Sequence, residues 1–237
     1  MQIRTITLPF FINSSSNCYL VKTGNGFILI DTGPTNKRKV IEKELENSGC
    51  NKGNLKLIIL THGDFDHSGN AAYIRKKFKS PVAMHEDDSG IVEYGNMQWN
   101  RNKQNFLVKI IFKLFFKLNR SDRFKPDLFI NNNFSLVEYG FDAKVIELPG
   151  HSKGSIGILT KDGEFFCGDL LENVKNPSIG SIIDNEDLAN ESIEKLRSLQ
   201  INSVYPGHGQ SFPMKLFIKA YQTILEWALN FYPQTQN

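Results

Sequence analysis

The sequence has little that is typical of secreted, membrane-spanning or nucleic-acid-binding proteins. Its three cysteines, Cys18, Cys50 and Cys167, are odd in number and far apart, so no disulfide framework is predicted and a reducing compartment is favoured. No apolar run approaches the roughly 20 residues that cross a bilayer, and the N-terminus has no apolar segment typical of a signal peptide. A net charge of +3 over 237 residues is too weak to indicate nucleic acid. We therefore expect a cytoplasmic protein without stable membrane insertion.

The order of the predicted elements indicates a fold of the α/β (α+β) class. In the first half, apolar segments such as "GFILIDTG" and "LKLIIL" alternate with segments of helical periodicity. Residues 127–169 predict a series of short strands, among them "FSLVEYG" at residues 134–140, and two amphipathic helices follow. This order favours two packed sheets with helices on their outer faces. Because no Pro- or Ser-rich linker is present, we predict one domain over residues 1–237, with an insertion at about residues 100–126.

Histidine is also scarce, and its distribution is uneven. Four of the five histidines lie in glycine-containing turns that follow predicted strands, at "THGDFDHSGN", "LPGHSKGS" and "YPGHGQ". The first of these turns also holds two aspartates, and "CGDLL" adds Asp169 after a fourth strand. Strand ends can meet at one rim of a sheet, where functional sites are often built. The fifth histidine, His85 in "VAMHEDD", precedes a helix and is predicted to be structural.

Imidazoles and carboxylates that converge in this way predict a metal site. A single buried histidine is usually a satisfied core residue, but that explanation does not fit four histidines in the same kind of turn. The candidate ligands are His62, Asp64, Asp66, His67, His151, Asp169 and His208. Seven ligands are too many for one tetrahedral zinc and suit two divalent ions, zinc first, with iron or manganese as alternatives. Asp31 in "IDTG" either orients this site by hydrogen bonding or is an ordinary turn aspartate.

In this order, the motifs resemble those of the metallo-β-lactamase superfamily of metallohydrolases, whose central motif is His-x-His-x-Asp-His. The resemblance covers nearly the whole chain, and it implies a four-layer αββα sandwich with a dinuclear site at one edge of the sheets. The ligand positions that it implies are His62 and His151 for a first metal, Asp66, His67 and His208 for a second, and Asp169 as the bridge. Asp66 would also lie near the attacking water and act in catalysis by accepting its proton.

One residue departs from that motif, because Asp64 stands where the family has its second histidine. A carboxylate there can still bind the first metal and favours a harder ion; the diiron flavodiiron proteins use a glutamate at this position. Our leading hypothesis is hydrolysis, in which a metal-bound hydroxide attacks an ester, lactone, thioester or phosphodiester bond of a small molecule. The alternatives are an iron-dependent oxidoreductase with one or two irons, and an inactive metal-binding module.

Two substrate classes of this superfamily are not expected. Nuclease members usually carry an inserted domain between the bridging aspartate and the last histidine, and only residues 170–207 lie there in this chain. Exported enzymes that cleave β-lactams have a leader, which is not predicted here. A nucleic acid and a β-lactam are therefore poor candidates for the natural substrate.

The insertion is basic and aromatic. Lys109, Lys113 and Lys117 form a stripe at helical spacing, and Phe112 and Phe116 widen the apolar face beside it. One interpretation is a helix packed on the sheet or on a partner subunit, which leaves a homodimer open. The other is a lid whose phenylalanines would favour an apolar acyl group in the substrate.

Overall fold

A computed structural model of the protein describes residues 1–11, 14–101 and 118–231, which form two β-sheets with helices on both outer faces. The strands of the first sheet, in spatial order, are β1 (Gln2–Phe11), β2 (Ser14–Thr23), β3 (Gly26–Ile30), β4 (Leu55–Ile59), β5 (Val82–Met84) and β6 (Leu128–Phe129). The strands of the second sheet, from the opposite end of the chain, are β7 (Ala143–Glu147), β8 (Ile156–Thr160), β9 (Glu164–Gly168), β12 (Ser203–Pro206) and β13 (Phe212–Pro213).

A small hairpin, six α-helices and three short 3-10 helices complete the described elements. The hairpin strands are β10 (Leu171–Glu172) and β11 (Ser178–Ile179). The helices are α1 (Arg38–Asn47), α2 (Phe65–Ser68), α3 (Ala71–Phe78), α4 (Glu86–Tyr94), α5 (Glu186–Arg197) and α6 (Met214–Phe231). Within the described ranges, no helix is both long and apolar enough to cross a bilayer.

Three hydrophobic clusters hold the layers together, and the alternation of side chains along each strand explains them. In β3, Phe27 and Leu29 pack with residues of α1, α3 and α4, whereas Ile28 and Ile30 face the second sheet. Successive residues of a strand point to opposite faces, so a strand buried on both faces is apolar throughout. A third cluster joins the second sheet to α5 and α6. The predicted four-layer αββα sandwich is confirmed.

The directions of the strands bring the histidine-bearing turns to one edge. β3 and β4 are parallel in the first sheet. In the second sheet, β9 is parallel to β12 and antiparallel to β8, which is in turn antiparallel to β7. The strands β7, β9 and β12 therefore all run the same way, and the loops that follow their carboxyl ends lie side by side.

The predicted strand at residues 134–140 is wrong. In its place, Ser135 makes an isolated bridge to Lys144, and residues Val137–Tyr139 form a turn of 3-10 helix. Gly140 ends this turn with φ of 77°, and the side chain of Val137 is exposed. Of these residues only Leu136 is buried. The segment therefore has the apolar composition of a strand but does not pair with a neighbouring strand along its length. The predicted insertion helix falls mostly on residues 102–117, which lie outside the described residues.

Candidate metal centre

Seven polar side chains, the candidate ligands of the sequence analysis, converge at the carboxyl ends of the strands. The loop after β4 carries four of them, and the loops after β7, β9 and β12 carry one each. Their ligand atoms form three groups, within each of which all atoms lie within 4.8 Å of one another. These groups are His62, Asp64 and His151; Asp66, His67 and His208; and His62, His67 and Asp169. All seven residues therefore reach one site.

One turn of helix, α2, arranges the loop after β4. The carbonyl oxygen of Asp64 accepts hydrogen bonds from the backbone N–H groups of His67 (2.9 Å) and Ser68 (2.8 Å). The residue before Asp64 must be glycine, because a Cβ at Gly63 would lie 2.7 Å from the Cβ of Ile91. The glycines of these turns thus provide space as well as backbone freedom.

Asp169 lies at the centre of the four imidazoles. Its Oδ2 atom is 3.0 Å from Nε2 of His208, 3.7 Å from Nε2 of His62 and 3.9 Å from Nε2 of His151. Its Oδ1 atom is 3.3 Å from Nε2 of His67. A Cβ at Gly207 would lie 2.0 Å from this oxygen, so only glycine there leaves room for the carboxylate. This arrangement suits a carboxylate shared by two cations.

Backbone carbonyls orient two of the imidazoles. Nδ1 of His151 donates a hydrogen bond to the carbonyl oxygen of Ile182, and Nδ1 of His208 donates one to that of Ser15, each at 2.6 Å. A carbonyl can only accept, so in both rings the proton resides on Nδ1 when the ring is neutral. The lone pair is then on Nε2, the nitrogen that points toward Asp169.

Asp31 orients the other two imidazoles. Its carboxylate lies 3.0 Å from Nδ1 of His67 and accepts from the backbone N–H and the hydroxyl of Thr61, both at 2.8 Å. Because the Thr61 hydroxyl donates to Asp31, it accepts from Nδ1 of His62, which is 3.0 Å away. The chain turns into this position at Asp31 with φ of 60°. Of the two alternatives for Asp31, these hydrogen bonds favour the residue that orients the site.

Two buried atoms support a cation at the centre. Within the described chain, Nε2 of His62 and Oδ1 of Asp169 are buried and have no hydrogen-bond partner. Buried polar atoms are rarely left in this state unless an unseen water or ion satisfies them. Together with inward lone pairs on the imidazoles, these atoms fit a divalent cation with nitrogen and oxygen ligands.

Burial and the neighbouring charges shift the pKa values of the candidate ligands. Burial lowers the pKa of His62 well below its ordinary value, and the neighbouring His67 adds to this shift. Burial opposes protonation of His208 as well, but the carboxylate of Asp169 raises the pKa of His208 to about 9. Although burial disfavours a charged carboxylate, His208, His67 and His62 hold the pKa of Asp169 well below its usual range. Without a metal, the neighbouring carboxylates thus favour the protonated forms of His67 and His208.

Metal uptake is therefore expected to weaken as the pH falls from 9 to 6. A histidine ligand must lose its proton before it binds, and His208, with a pKa of about 9, stays protonated below that value. Each proton displaced weakens apparent binding by up to about tenfold per pH unit. Competition with a chromophoric chelator for Zn²⁺ at each pH measures the slope. An affinity that does not change with pH would contradict the expectation.

His85 lies apart from these groups, as predicted. It caps the N-terminus of α4, where its Nδ1 accepts from the backbone N–H of Asp87 at 3.2 Å. Its Nε2 lies 3.3 Å from the carboxylate of Glu147. His85 therefore serves as the matched control for the four histidines of the centre.

Two charged residues of the centre were missed by sequence analysis. The side chain of Arg101 is 1% exposed, and its Nη2 donates to Oδ1 of Asp64 at 2.5 Å. Asp88, also buried, accepts from the N–H of Gly63 at 3.0 Å and the N–H of Gly154 at 2.8 Å. Neither residue belongs to a motif, and the contacts join distant parts of the chain.

The centre opens into a pocket of about 480 Å³. The aspartates Asp64, Asp66 and Asp169 line it. Apolar side chains of Phe65, Met97, Val174 and Ile182 and polar ones of Glu172 and Gln210 also line it. Val174 and Ile182 are more than half exposed, so the rim offers apolar surface to a ligand. A pocket of this size accommodates a small molecule.

Comparisons with known sequences all point to one family. Residues 12–208 match the sequence profile described as the metallo-beta-lactamase superfamily. A probable metallo-hydrolase, MJ0888, of Methanocaldococcus jannaschii is 29% identical over 200 residues, which are 83% of this chain and 88% of that protein. The hydroxyacylglutathione hydrolase GloC of Haemophilus influenzae is 31% identical over 121 residues, or 50% of each chain.

Comparison with solved structures agrees. The crystal structure of TTHA1623 in a di-iron-bound form superposes with a TM-score of 0.70 at 26% identity, over 91% of this chain and 97% of that one. The structure of the B3 metallo-beta-lactamase BLEG-1 has the same TM-score at 21% identity, over 92% of this chain and 97% of that one. The latter identity is low, so this likeness concerns the fold alone.

Proposed function

The chain belongs to the metallo-beta-lactamase superfamily of metallohydrolases, and we propose that it is a metal-dependent hydrolase that cleaves an ester, lactone, thioester or phosphodiester bond in a small molecule. The observation that carries the proposal is the position of Asp169, within 4 Å of Nε2 of all four histidines. A carboxylate so placed can serve two cations at once. The pocket above it gives a substrate access to both.

The donor atoms suggest how two ions would be held. His62, Asp64 and His151 would hold the first ion, Asp66, His67 and His208 the second, and Asp169 would bridge them. Divalent ions held there would act as Lewis acids on the substrate and lower the pKa of bound water toward neutrality. Zinc is our first candidate, because two neutral imidazoles would bind each ion.

Asp66 is the residue that we propose for proton transfer. Its carboxylate is buried, lines the pocket, and lies 3.5 Å from Nε2 of His208. Burial, helped by the charge of Asp169, raises the pKa of Asp66, which makes it a better proton acceptor than an exposed aspartate. During attack it would take the proton of the water nucleophile and deliver it to the leaving group.

The apolar rim and the relatives narrow the substrate class. Val174 and Ile182 would contact an apolar substituent next to the scissile bond. The bond that a hydroxyacylglutathione hydrolase cleaves is a thioester, so the match to GloC puts thioesters first in an assay. That match spans half of each chain and does not single out glutathione as the thiol.

Iron chemistry is the second candidate, and Asp64 is the observation that favours it. A carboxylate in the place of a histidine favours a harder cation than zinc. TTHA1623, whose structure is similar, was crystallised in a di-iron-bound form. Iron found in the purified protein together with oxygen uptake would favour an iron-dependent oxidoreductase over a hydrolase.

The test is hydrolysis by protein of known metal content. Protein loaded with Zn²⁺, Mn²⁺ or Fe²⁺ is assayed on a thioester, an ester, a lactone and a phosphodiester. We expect one class to be cleaved, a chelator to lower the rate at least about a hundredfold, and added metal to restore it. His151→Gln should be inactive, whereas His85→Gln, outside the centre, should retain activity. No cleavage of any class by fully loaded protein would refute the proposal.

A further inference from the structure

The departure of Asp64 from the family motif has a partner elsewhere in the chain. Arg101 lies 37 residues further along the sequence, and its Nη2 donates to Oδ1 of Asp64 at 2.5 Å. The side chain of Arg101 is 1% exposed and that of Asp64 is 14% exposed, so this ion pair is largely shielded from water. A shielded pair is not screened as a surface pair would be, and its charges act on whatever else the site holds.

The two oxygens of Asp64 have different neighbours. Oδ1 meets Arg101, whereas Oδ2 faces the imidazoles, 3.3 Å from Nε2 of His151 and 3.9 Å from Nε2 of His62. Oxygen and nitrogen ligands about 2.1 Å from a zinc ion lie roughly 3.4 Å apart in a tetrahedron. Oδ2 is thus available as a single ligand atom, whereas Oδ1 is engaged by the guanidinium of Arg101.

The charges of the pair cancel. A metal-bound histidine is neutral, so an aspartate alone in its place would add one negative charge to the site. The guanidinium of Arg101, which is always protonated, removes that charge again. We propose that Asp64 and Arg101 act as one neutral unit that replaces the second histidine of the family motif, in which Asp64 is the ligand and Arg101 compensates its charge. This inference rests on the proposed metal site, but not on the reaction catalysed there.

A different arrangement is conceivable, in which the guanidinium takes the place of the first cation. The geometry disfavours it, because Arg101 contacts Oδ1 and leaves Oδ2 toward the histidines. Nε2 of His62, moreover, is buried without a hydrogen-bond partner among the described residues. A cation next to His62 would satisfy this atom and could also bind Oδ2 of Asp64, which lies 3.3 Å from Nε2 of His151, whereas the guanidinium as placed leaves Nε2 of His62 unsatisfied.

The test changes the charge of the unit in both directions. Asp64→Met is not informative, because it removes a ligand; Asp64→His restores the family motif but leaves the buried Arg101 without the carboxylate that it contacts. We expect Asp64→His to bind one of its two ions about 10- to 100-fold more weakly than wild type. Arg101→Met leaves one extra negative charge and should bind that ion at least about tenfold more tightly. The double variant, neutral again, should return to the wild-type affinity.

Stepwise binding constants for Zn²⁺ and for Mn²⁺, with elemental analysis of the ions per chain, are the readouts. Arg197→Met, which removes an exposed arginine paired with Glu194 on α5, is the matched control and should leave both constants unchanged. Thermal unfolding of each metal-free variant shows whether it folds. If Asp64→His does not fold, Arg101→Met still decides, because loss of a merely structural arginine would weaken binding or leave it unchanged.

The outcomes separate this inference from the proposed function. Asp64→His that binds two ions as tightly as wild type, or Arg101→Met that binds them no more tightly, would overturn the inference alone. One ion per wild-type chain would also overturn it, in favour of the guanidinium as a substitute for the first cation, and hydrolysis could persist. If no variant binds an ion, the inference and the proposed metal site both fail.

Discussion

Asp169→Asn is expected to lower hydrolysis at least about a thousandfold and to reduce the metal content to at most one ion per chain. Asp169 is the carboxylate within 4 Å of all four imidazoles. An asparagine keeps the shape but has one weak ligand oxygen and no charge to share between two cations. Cation stabilisation of the transition state contributes several kcal/mol, and each 1.36 kcal/mol changes the rate tenfold.

The same variant has a second, independent signature in the metal-free protein. The carboxylate of Asp169 raises the pKa of His208 to about 9. Asp169→Asn removes that charge, so burial should dominate and the pKa of His208 should fall to its ordinary value of about 6.5 or below. NMR titration of the imidazole protons measures this shift. A value below 6.5, which an imidazole in an unfolded chain does not reach, distinguishes the loss of a charge at the centre from a general loss of structure.

Asp162→Asn is the matched control, because Asp162 is an exposed aspartate in the turn between β8 and β9. It should leave metal content, rate and the pKa of His208 unchanged. Asp169→Asn with two ions and a rate within tenfold of wild type would show that this carboxylate does not bridge a metal pair.

The positions of the ligands could be predicted from sequence because the signal is local. His151, Asp169 and His208 each lie in the turn after a strand, and each is preceded directly by a glycine. Parallel strands present their following loops at one edge, so a set of such turns predicts convergence without any knowledge of the contacts. Gly207 shows the physical reason for the glycine, since a side chain there would collide with Asp169.

The residues that support the ligands could not be predicted in this way. Arg101 stands in a basic stretch, where a lysine or arginine is more often solvated than buried. Asp88 is one of three acidic residues in the first turn of α4, and such residues are usually explained by the helix dipole. Only the fold distinguishes Asp88 from Asp87 beside it, because α4 turns one carboxylate inward and leaves the other half exposed.

Element type was harder to predict where burial is one-sided. The segment at residues 134–140 has the apolar content of a strand, yet only Leu136 of its first part is buried and Val137 is exposed. Amino-acid composition indicates β propensity but does not show which residues pair with a neighbouring strand. In this segment only Ser135 makes a β-bridge, to Lys144. The opposite difficulty arises for β5, which is a strand in the structure but, with three residues, is too short to show a periodic pattern in the sequence.

Asp88→Ala is expected to destabilise the protein by about 3 kcal/mol, although Asp88 is not a candidate ligand. Its carboxylate is 1% exposed and accepts three hydrogen bonds, from the N–H of Gly63 (3.0 Å), the hydroxyl of Ser152 (2.7 Å) and the N–H of Gly154 (2.8 Å). Loss of this acceptor leaves buried donors unsatisfied, at about 1–3 kcal/mol each before relaxation. For a chain of this size we expect the melting temperature to fall by roughly 6–12 °C.

The position of Asp88 explains why function should suffer as well. Gly63 lies in the loop that carries His62 and Asp64, and Gly154 lies in the loop that carries His151. From α4, one carboxylate therefore ties together the two loops that would hold the first ion. Asp88→Ala should weaken one ion about 10- to 100-fold, as loss of a residue that orients ligands usually does, and leave the other nearly unchanged.

Asp87→Ala is the matched control, because Asp87 is the neighbouring residue and its carboxylate is partly exposed. This carboxylate makes only long contacts, to Asn100 at 3.4 Å, Lys153 at 3.5 Å and His85 at 3.9 Å. An exposed pair of this kind contributes about 1 kcal/mol or less, so this variant should keep the melting temperature within a few degrees and both metal constants intact. Calorimetry and stepwise metal titration of the two variants decide the matter. If Asp88→Ala melts as Asp87→Ala does, the buried carboxylate is not what holds the loops of the centre together.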